Sequence, residues 1–350
     1  MRTTGVVTPQ PWFEDMIAPG FGPALCNAYD FTCANNTEMV AYLLDPLPYR
    51  GDFADTIQAL ASLNAYGSVF PANVGMGSQF SEFTYYTNKG FSNYHGLLVT
   101  LHKNVSHGLQ FDLNYTWSHS IDNVSVIANT PAIGGYGFIC DVLRPRECRG
   151  NSDFDVTQYL NGNFIYMLPF GRGQTFGSSA PRWLDEFIGG WSLSGLPVVH
   201  SGTPTFATSM AFVAGYANDA PAILTGPIAN FKMHPNKGAN GTLWAFKSGN
   251  DSGVNDFVGP IGFKVGSRNN LRGPGYFNMD LGLGKSFPIV EDKLNLIFRV
   301  DAFNAFNHPS FSTPDSMDNL DITETSGTFG VITSTANSPR VLQGALRLEF

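Results

Sequence analysis

The chain has 350 residues, which is long enough for one large domain or two ordinary ones. Only 14% of its residues are charged, against roughly 25% in a typical soluble domain, and no stretch approaches the ~20 consecutive apolar residues of a transmembrane helix. The net charge of −8, without any cluster of lysine and arginine, argues against nucleic acid as a partner.

Glycine (38 residues), phenylalanine (29) and tyrosine (13) are abundant, and in a charge-poor chain this composition indicates an all-β fold. Residues 1–91 differ from the rest, since they are rich in proline, glycine, asparagine and alanine. We interpret them as an irregular extracellular loop region with a short helix at Asp55–Leu63, preceded by the remnant of another strand. The first residues, Met1–Val7, contain no apolar segment of the kind found in a secretory signal.

Four cysteines occur as two close pairs, Cys26/Cys33 and Cys140/Cys148, in polar stretches. Metal sites usually have tighter C-x₂₋₄-C spacings and need further ligands, which are absent nearby. Two local disulfides closing surface loops are therefore the favoured interpretation, and they imply an oxidising compartment. Four free thiols are the alternative.

The clearest predicted strand is Leu109–Ser118, in which apolar residues such as Phe111 and Leu113 alternate with polar ones such as Asp112 and Asn114. This period of two places one face in an apolar medium and the other in a polar one. In a soluble sandwich the apolar face would be the core, whereas in an outer-membrane barrel it would face lipid and the polar face would line the lumen.

Further segments alternate in the same way and at similar length. They are Tyr94–Lys103 (with Leu98 as an exception), Gln158–Leu168, Gly190–Gly202, Tyr276–Phe287, Lys293–Phe303 and Arg340–Phe350. The sequence thus predicts about seven strands, each close to the roughly 9–11 residues that a tilted strand needs to cross a bilayer. Strands of soluble proteins average about 5–6 residues, so strand length favours a membrane barrel.

The predicted connections alternate in length along the chain. Asn104–Gly108 and Pro288–Asp292 are short and Pro169–Gly189 is moderate, whereas Ile121–Thr157, Thr203–Gly275 and Asn304–Pro339 are long. Short periplasmic turns opposite long extracellular loops are typical of transmembrane barrels. Aromatic residues near strand ends, namely Trp117, Tyr166, Trp191 and Phe287, suit interfacial girdles.

The segment Gly282-Leu283-Gly284-Lys285-Ser286 resembles the end of a phosphate-binding loop. The template G-x-x-x-x-G-K-[ST] requires a glycine where Met279 stands and a helix where Pro288 stands. Alternation also continues through the segment, with Phe277, Met279, Leu281 and Leu283 predicted to face lipid and Asn278 and Asp280 the lumen. Gly282 and Gly284 share the lumen side, and Lys285 is expected near the periplasmic rim. We therefore reject a nucleotide site.

No catalytic, cofactor-binding or metal-binding residue is predicted, and we expect no enzyme. The seven histidines are scattered, and Ser118-His119-Ser120 fits a polar rim at a strand end better than a nucleophile with its base. Asp153 and Asp155 offer oxygen ligands of the kind that Ca²⁺ prefers, but solvated loop carboxylates are the favoured interpretation.

The C-terminus carries the most specific functional pattern. Leu342, Gly344, Leu346 and Leu348 alternate up to the terminal Phe350, which resembles the assembly signal of bacterial outer-membrane proteins, where the last strand ends in an aromatic residue.

Together with this last strand, several segments between residues 92 and 350 resemble, in order, the C-terminal barrel of TonB-dependent outer-membrane receptors. They include "SNYHGLLVTLHKNVSHGLQFDLNYTWSHSID", "NLRGPGYFNMDLGLGKSFPI" and "LIFRVDAFNAFNHPSF". The chain is most similar to the Oar-like group, whose members carry a carboxypeptidase-regulatory-like domain.

The resemblance implies residence in the outer membrane, contact with its lipid and assembly by the barrel-assembly machinery. It also implies a plug domain and TonB coupling, both supplied by an N-terminal part that this sequence lacks. Such receptors have roughly 22 strands, so we expect a C-terminal fragment of a larger importer that is not competent alone, and an exported parent protein accounts for the disulfides.

Two other functions are kept beside this one. A secreted β-sandwich that binds carbohydrate would bury the apolar faces in a core. A structural or adhesive outer-membrane protein would share the barrel without transporting anything. The substrate of an importer, whether siderophore, oligosaccharide or peptide, does not follow from the sequence.

Overall fold

The computed structural model describes residues 8–28, 30, 32–43, 87–125, 139, 144–208, 220–226, 233–238, 240–246, 256–259, 264–290, 294–314, 319–322 and 327–350. The predicted helix Asp55–Leu63 and the predicted disulfide partner Cys140 lie outside these residues.

One antiparallel sheet dominates the described chain, and its long strands are hydrogen-bonded to one another in chain order. They are β1 (Ser92–Ser106), β2 (Leu109–Asp122), β3 (Gln158–Met167), β4 (Trp191–His200), β5 (Tyr276–Val290), β6 (Leu294–Phe303) and β7 (Val341–Glu349). The two-residue strand Gly150–Asn151 extends the sheet beside β2. Each predicted segment lies on one of the long strands, and β1, β2 and β5 run two to four residues further than predicted.

A two-residue turn joins β1 to β2. His107 and Gly108 both have positive φ, at 52° and 76°. Two-residue hairpin turns require this backbone conformation, because the twist of the turn then matches the twist of the two strands. Ser106 and Leu109 close the turn as register partners. This end of the sheet also holds the β5–β6 connection and the last residue of β7, and we call it the turn end. The opposite end, where the long connections begin, is the loop end.

The described sheet is open. β1 and β7 are its two outer strands, and within the described residues neither pairs with the other or with a further long strand. Each therefore presents one row of backbone N–H and C=O groups without a strand partner.

Beyond the loop end, the connections β4–β5 and β6–β7 pack against each other. Three two-residue pairings brace the longer of them: Pro204–Thr205 with Leu271–Arg272, Ile223–Leu224 with Phe257–Val258, and Asn236–Lys237 with Leu243–Trp244. Bridges from Thr208 to Asp321 and from Trp244 to Val331 join the two connections. Their shared core includes Phe246, Phe257, Leu271, Leu320, Phe329 and Ile332.

Residues 8–43 are more regular than the predicted irregular region, because their described part contains three helices: α1 (Pro11–Met16), α2 (Phe21–Ala28) and α3 (Asn36–Leu43). The Glu14 carboxylate accepts hydrogen bonds from the backbone N–H groups of Asn36 (3.2 Å) and Thr37 (2.8 Å), which start α3. Burial alone would raise the pKa of Glu14, but the hydrogen bonds from Thr37 and Asn36 hold it below the ordinary value.

These helices have six to eight residues, which is too short for a helical period to appear in the sequence. Tertiary contacts hold them, namely the local disulfide from Cys26 to Cys33 and the hydrogen bonds from the start of α3 to the more distant Glu14. A fourth described helix, α4 (Arg182–Ile188), lies in the connection between β3 and β4. No helix in the described part of the chain is long and apolar enough to cross a membrane.

Candidate functional site

The strand register aligns the apolar residues of all the long strands on one face. Register partners lie side by side on the same face of a sheet, and Leu101 is paired with Leu113, which is paired with Gly162. The same relation continues to β7, where Leu346 is the partner of Phe298. The apolar face so defined comprises Leu97, Val99, Leu101, Phe111, Leu113, Tyr115, Trp117, Leu160, Gly162, Phe164, Tyr166, Trp191, Leu193, Gly195, Pro197, Val199, Phe277, Met279, Leu281, Leu283, Lys285, Phe287, Leu296, Phe298, Val300, Ala302, Leu342, Gly344, Leu346 and Leu348. Near the strand ends the same face also carries the polar residues His95, Lys103, His119 and Gln158.

This apolar face is not covered by protein. Leu101 is 56% exposed, Trp117 41% and Leu346 71%. None of the buried hydrophobic residues of the described chain lies on the long strands; they belong to the packed loops, the N-terminal helices and Cys148. A soluble sandwich would bury such a face in its core. An apolar surface that spans a whole sheet needs an apolar environment outside the protein.

A family model described as "Outer membrane beta barrel domain" matches residues 35–343. The chain belongs to this family. It is therefore a protein of the bacterial outer membrane, and the apolar face is the surface that meets lipid. Comparisons with curated proteins and with solved structures found no significant match.

The opposite face of the barrel sheet carries hydrogen-bonding side chains, and we call it the polar face. It comprises Thr100, His102, Gln110, Asp112, Asn114, Thr116, Asn161, Asn163, Ser192, Ser194, Asn278, Asp280, Arg299 and Asp301, interrupted by apolar residues such as Ile165 and Leu196. Neighbouring strands are linked across it, since the Thr100 hydroxyl donates to Asn114 Oδ1 (3.0 Å) and His102 bonds to Asp112. In a barrel this face lines the interior.

The segment that resembled a phosphate loop lies within β5. Gly282 and Gly284 are on the polar face, where the hydroxyls of Ser194 and Ser192 donate to their carbonyl oxygens at 3.3 and 3.4 Å. A Cβ at Gly282 would lie 2.6 Å from Ser194 Oγ and 2.7 Å from Asp301 Oδ1, so glycine leaves room for these polar groups. The rejection of a nucleotide site agrees with this strand geometry.

Three aromatic rings stack at the loop end of the polar face. His200 is the register partner of both Tyr159 and Tyr276, and its ring lies 5.6 Å from that of Tyr159 and 4.8 Å from that of Tyr276. The His200 Nδ1–H donates to the carbonyl oxygen of Ser201 (2.9 Å), which fixes the ring orientation. The stack places three aromatic rings side by side on the polar face, next to the loops.

Two arginines tie the long connections together at the loop end. Arg268, in the β4–β5 connection, pairs with Asp122 at the end of β2 and with Asp153 in the β2–β3 connection (3.2 Å). Arg272 pairs with Asp155 (2.5 Å). We call Asp122, Asp153, Asp155, Arg268 and Arg272 the loop clamp. It holds the β2–β3 and β4–β5 connections against the end of β2, at the loop end of the polar face.

Asp155 is the most enclosed member of the loop clamp, at 1% exposure. It accepts a hydrogen bond from the backbone N–H of Ser120 (2.7 Å) as well as from Arg272. Burial alone would raise the pKa of Asp155, but the Ser120 hydrogen bond and the Arg272 charge outweigh it and hold the pKa below its ordinary value. Asp155 is therefore charged at neutral pH.

The expectation that Asp153 and Asp155 are solvated loop carboxylates is wrong for Asp155, which is buried. Asp153 keeps 36% of its side chain exposed. Both are bound by arginine, and Asp153 also accepts a hydrogen bond from Asn269 Nδ2 (2.6 Å). Among the described residues, no group of three or more histidine, cysteine or acidic side chains is arranged to hold a metal ion. The rim role expected for Ser118 and Ser120 matches their place at the loop end, where both are buried and hydrogen-bonded to the β2–β3 connection.

The remaining predicted residues are the four cysteines and the C-terminal assembly signal. The predicted disulfide between Cys26 and Cys33 is present. Cys148 is disulfide-bonded, and Cys140 lies outside the described residues. Four residues of the predicted assembly signal lie along the outer strand β7, namely Leu342, Gly344, Leu346 and Leu348. The fifth, Phe350, directly follows the strand and is fully exposed.

Sequence reasoning missed the loop clamp, the aromatic stack and α4. Arg268 and its partner Asp122 are 146 residues apart, so no local pattern connects them. The aromatic stack had a weak signal, since Tyr159, His200 and Tyr276 each stand at an end of a predicted strand.

Proposed function

We propose that the chain forms the C-terminal barrel portion of a TonB-dependent outer-membrane receptor that takes up a bulky substrate. The observation that carries the proposal is the polar face with the loop clamp above one end of it. Hydrogen-bonding side chains line the interior, while Arg268 and Arg272 fix extracellular connections at the entrance. This arrangement suits capture of a solute outside the cell and its passage along the inner wall.

The open edges support a larger assembly. Unpaired N–H and C=O groups in lipid cost several kcal/mol each, so β1 and β7 need further strands beside them in the membrane. Barrels of roughly 22 strands have a lumen wide enough to hold a plug. In this proposal the additional strands, the plug and the segment that contacts TonB come from a more N-terminal part of the receptor.

The same proposal assigns a role to β7. Its leucines alternate on the apolar face up to the exposed Phe350, which is the arrangement expected for a strand presented to the barrel-assembly machinery. Outer-membrane lipid, this machinery and the TonB system are thus the proposed partners, and no enzymatic role or cofactor is proposed.

The test is a comparison of solutes removed from the growth medium. A solute removed by the parent strain should stay in the medium when either this chain or the TonB energy-coupling protein is deleted. Arg268→Ala, which opens the loop clamp, should slow its removal, whereas Arg172→Ala, an exposed arginine at the turn end, should not.

Removal that continues without TonB would refute the coupled transport. If no solute depends on the chain, a structural or adhesive role becomes the better assignment, and the outer surface of the packed loops would then make its contacts.

A further inference from the structure

The connection between β3 and β4, residues 169–190, presents an exposed aromatic stripe at the turn end. Trp183 and Phe187 are one helical turn apart on α4 and therefore share a side of it. They are 65% and 69% exposed. Phe170 and Phe176, from the same connection, contact each other with tilted rings whose centres are 5.6 Å apart, and both are also exposed. Four large aromatic side chains in water would be costly for so short a segment.

The end of α4 lies on the lipid side of the sheet. The Trp191 Nε1–H donates to the carbonyl oxygen of Phe187 (2.8 Å), and the Lys285 ammonium donates to the carbonyl oxygen of Gly189. Trp191 and Lys285 are register partners on the apolar face. Two side chains of the lipid-facing surface thus hold the last turn of the helix, which makes the aromatic stripe continuous with that surface.

The surroundings of Lys285 explain how the apolar face tolerates its charge. It is only 3% exposed, and its Nζ lies 5.2 Å from the ring centre of Trp191 and 4.7 Å from that of Phe287. Aromatic rings attract a cation over their faces, and the Gly189 carbonyl oxygen accepts a hydrogen bond from the ammonium group. A lysine on the lipid side of a barrel is costly at the bilayer centre and inexpensive near the interface. Its position indicates that the turn end lies at the interface.

The rest of α4 matches an interfacial helix. Arg182 and Glu186 form an ion pair one turn apart at 3.8 Å and are both well exposed. They lie beside the Trp183–Phe187 stripe rather than on it, since neighbouring residues differ by about 100° around a helix. The helix therefore has an aromatic side and a charged side, as helices that lie in the plane of a membrane surface do.

We propose that residues 169–190 form a lipid anchor: the aromatic stripe inserts among the phospholipids of the periplasmic leaflet, while Arg182 and Glu186 remain in water. The turn end is the periplasmic end because its described connections are shorter than those of the loop end. The anchor fixes the depth of β3 and β4 in the bilayer. It is a surface separate from the proposed transport path.

Spin labels on introduced cysteines test the anchor in outer-membrane vesicles from cells that express the full chain. Phe187→Cys reports the aromatic stripe, and Glu186→Cys, the adjacent residue, is the matched control on the charged side. Trp183→Cys repeats the measurement, so that misfolding of one variant does not end the test. Leu346→Cys, on the apolar face of β7, reports insertion of the sheet itself. No described cysteine is a free thiol, and the unsubstituted chain gives the labelling background.

Collision with oxygen, which concentrates in lipid, is compared with collision with a water-soluble nickel complex. The anchor predicts that labels at positions 187 and 183 collide more with oxygen, and that the label at position 186 collides more with nickel. Nickel-dominated collision at all three positions, with oxygen-dominated collision at position 346, would overturn it, since α4 would then lie in the periplasm. Shielding of positions 187 and 183 from both reagents would overturn it as well, because a protein would cover the stripe. Nickel-dominated collision at position 346 too would overturn both the anchor and the insertion of the sheet.

Discussion

Two glycines on the apolar face should respond in opposite ways to the same substitution. Gly162 lies in β3 and Gly344 in β7. A Cβ at Gly162 would come closer than 3.0 Å to the backbone carbonyl oxygen of Asp112 and to Leu113 Cδ2 (2.6 Å). A Cβ at Gly344 would meet no heavy atom within 4 Å. Real Cβ atoms essentially never approach another atom within 3.0 Å, so the Gly162 substitution must displace its neighbour strand.

The magnitude follows from two contributions. Replacing glycine by alanine stabilises a compatible site by about 0.4–1 kcal/mol, because the unfolded chain loses conformational freedom. Overpacking a filled site costs about 1–3 kcal/mol. Gly344→Ala should raise the free energy of unfolding by about 0.4–1 kcal/mol. Gly162→Ala should have the same favourable contribution but also the overpacking cost, so the free energies of unfolding of the two variants should differ by that cost alone, about 1–3 kcal/mol. Leu113 can rotate away, and the Asp112 carbonyl, which belongs to the backbone, keeps the cost from vanishing.

The assay is guanidinium unfolding of each variant refolded in detergent micelles, followed by the gel mobility that distinguishes folded from unfolded barrels. Refolding in micelles leaves out the cellular assembly machinery, which matters because Gly344 lies in the predicted assembly signal. Equal unfolding slopes allow the midpoints to be converted into a free-energy difference. If Gly162→Ala is as stable as Gly344→Ala, β2 and β3 do not approach each other as closely as described, and the reasoning fails.

Three further predictions concern the loop end, the N-terminal helices and α4. In the parent chain, the long connections should resist protease from neutral pH down to about pH 5 and should become sensitive at pH values below 3.8, the ordinary carboxyl pKa. The reason is that the folded pKa of Asp155 is lowered, so the stabilisation from its charge is lost as the pH drops through that folded value. Asp155→Asn should lower the free energy of opening the connections by about 1.5–3 kcal/mol at neutral pH, and an unchanged digestion rate would contradict the loop clamp. Cys26→Ser should destabilise the N-terminal helices by about 2–3 kcal/mol, since the disulfide closes a loop with a sequence separation of seven. The rate of proteolysis within α1–α3 measures this loss of stability. Equal rates for parent and variant would show that the helices are stable without the disulfide. Lys285→Met keeps an unbranched side chain, one atom shorter, but removes the donor to Gly189, so hydrogen exchange in α4 should become faster. Unchanged protection would mean that Trp191 holds the helix without it.

The positions of the strands were predictable because a membrane strand is specified one residue at a time. Neighbouring side chains of Leu109–Ser118 lie on opposite faces of the sheet, so side-chain polarity alternates with period two and is visible in any short window. The same logic explains why Gly282 and Lys285 belong to a strand rather than a phosphate loop. The alternating lengths of the connections were also visible, since the strand ends delimit them.

The helices were not predictable from such a window. Helices of six to eight residues show hardly two turns of periodicity. Their stability depends on partners elsewhere, such as Glu14 for α3 and Lys285 for α4. The burial of Asp155 was missed for the same reason, because nothing adjacent in the sequence indicates the arginine that binds it.

The sequence by itself determined which residues form strands and which side of each strand is apolar. It did so because contact with lipid or with the interior is a property of each position along a strand. Only the tertiary structure decided the register that merges the strands into one apolar face, the open edges of the sheet, and the pairing of Arg268 and Arg272 with distant aspartates. These features arise from hydrogen bonds and ion pairs between residues far apart in the chain, and no local pattern encodes which of the distant groups will meet.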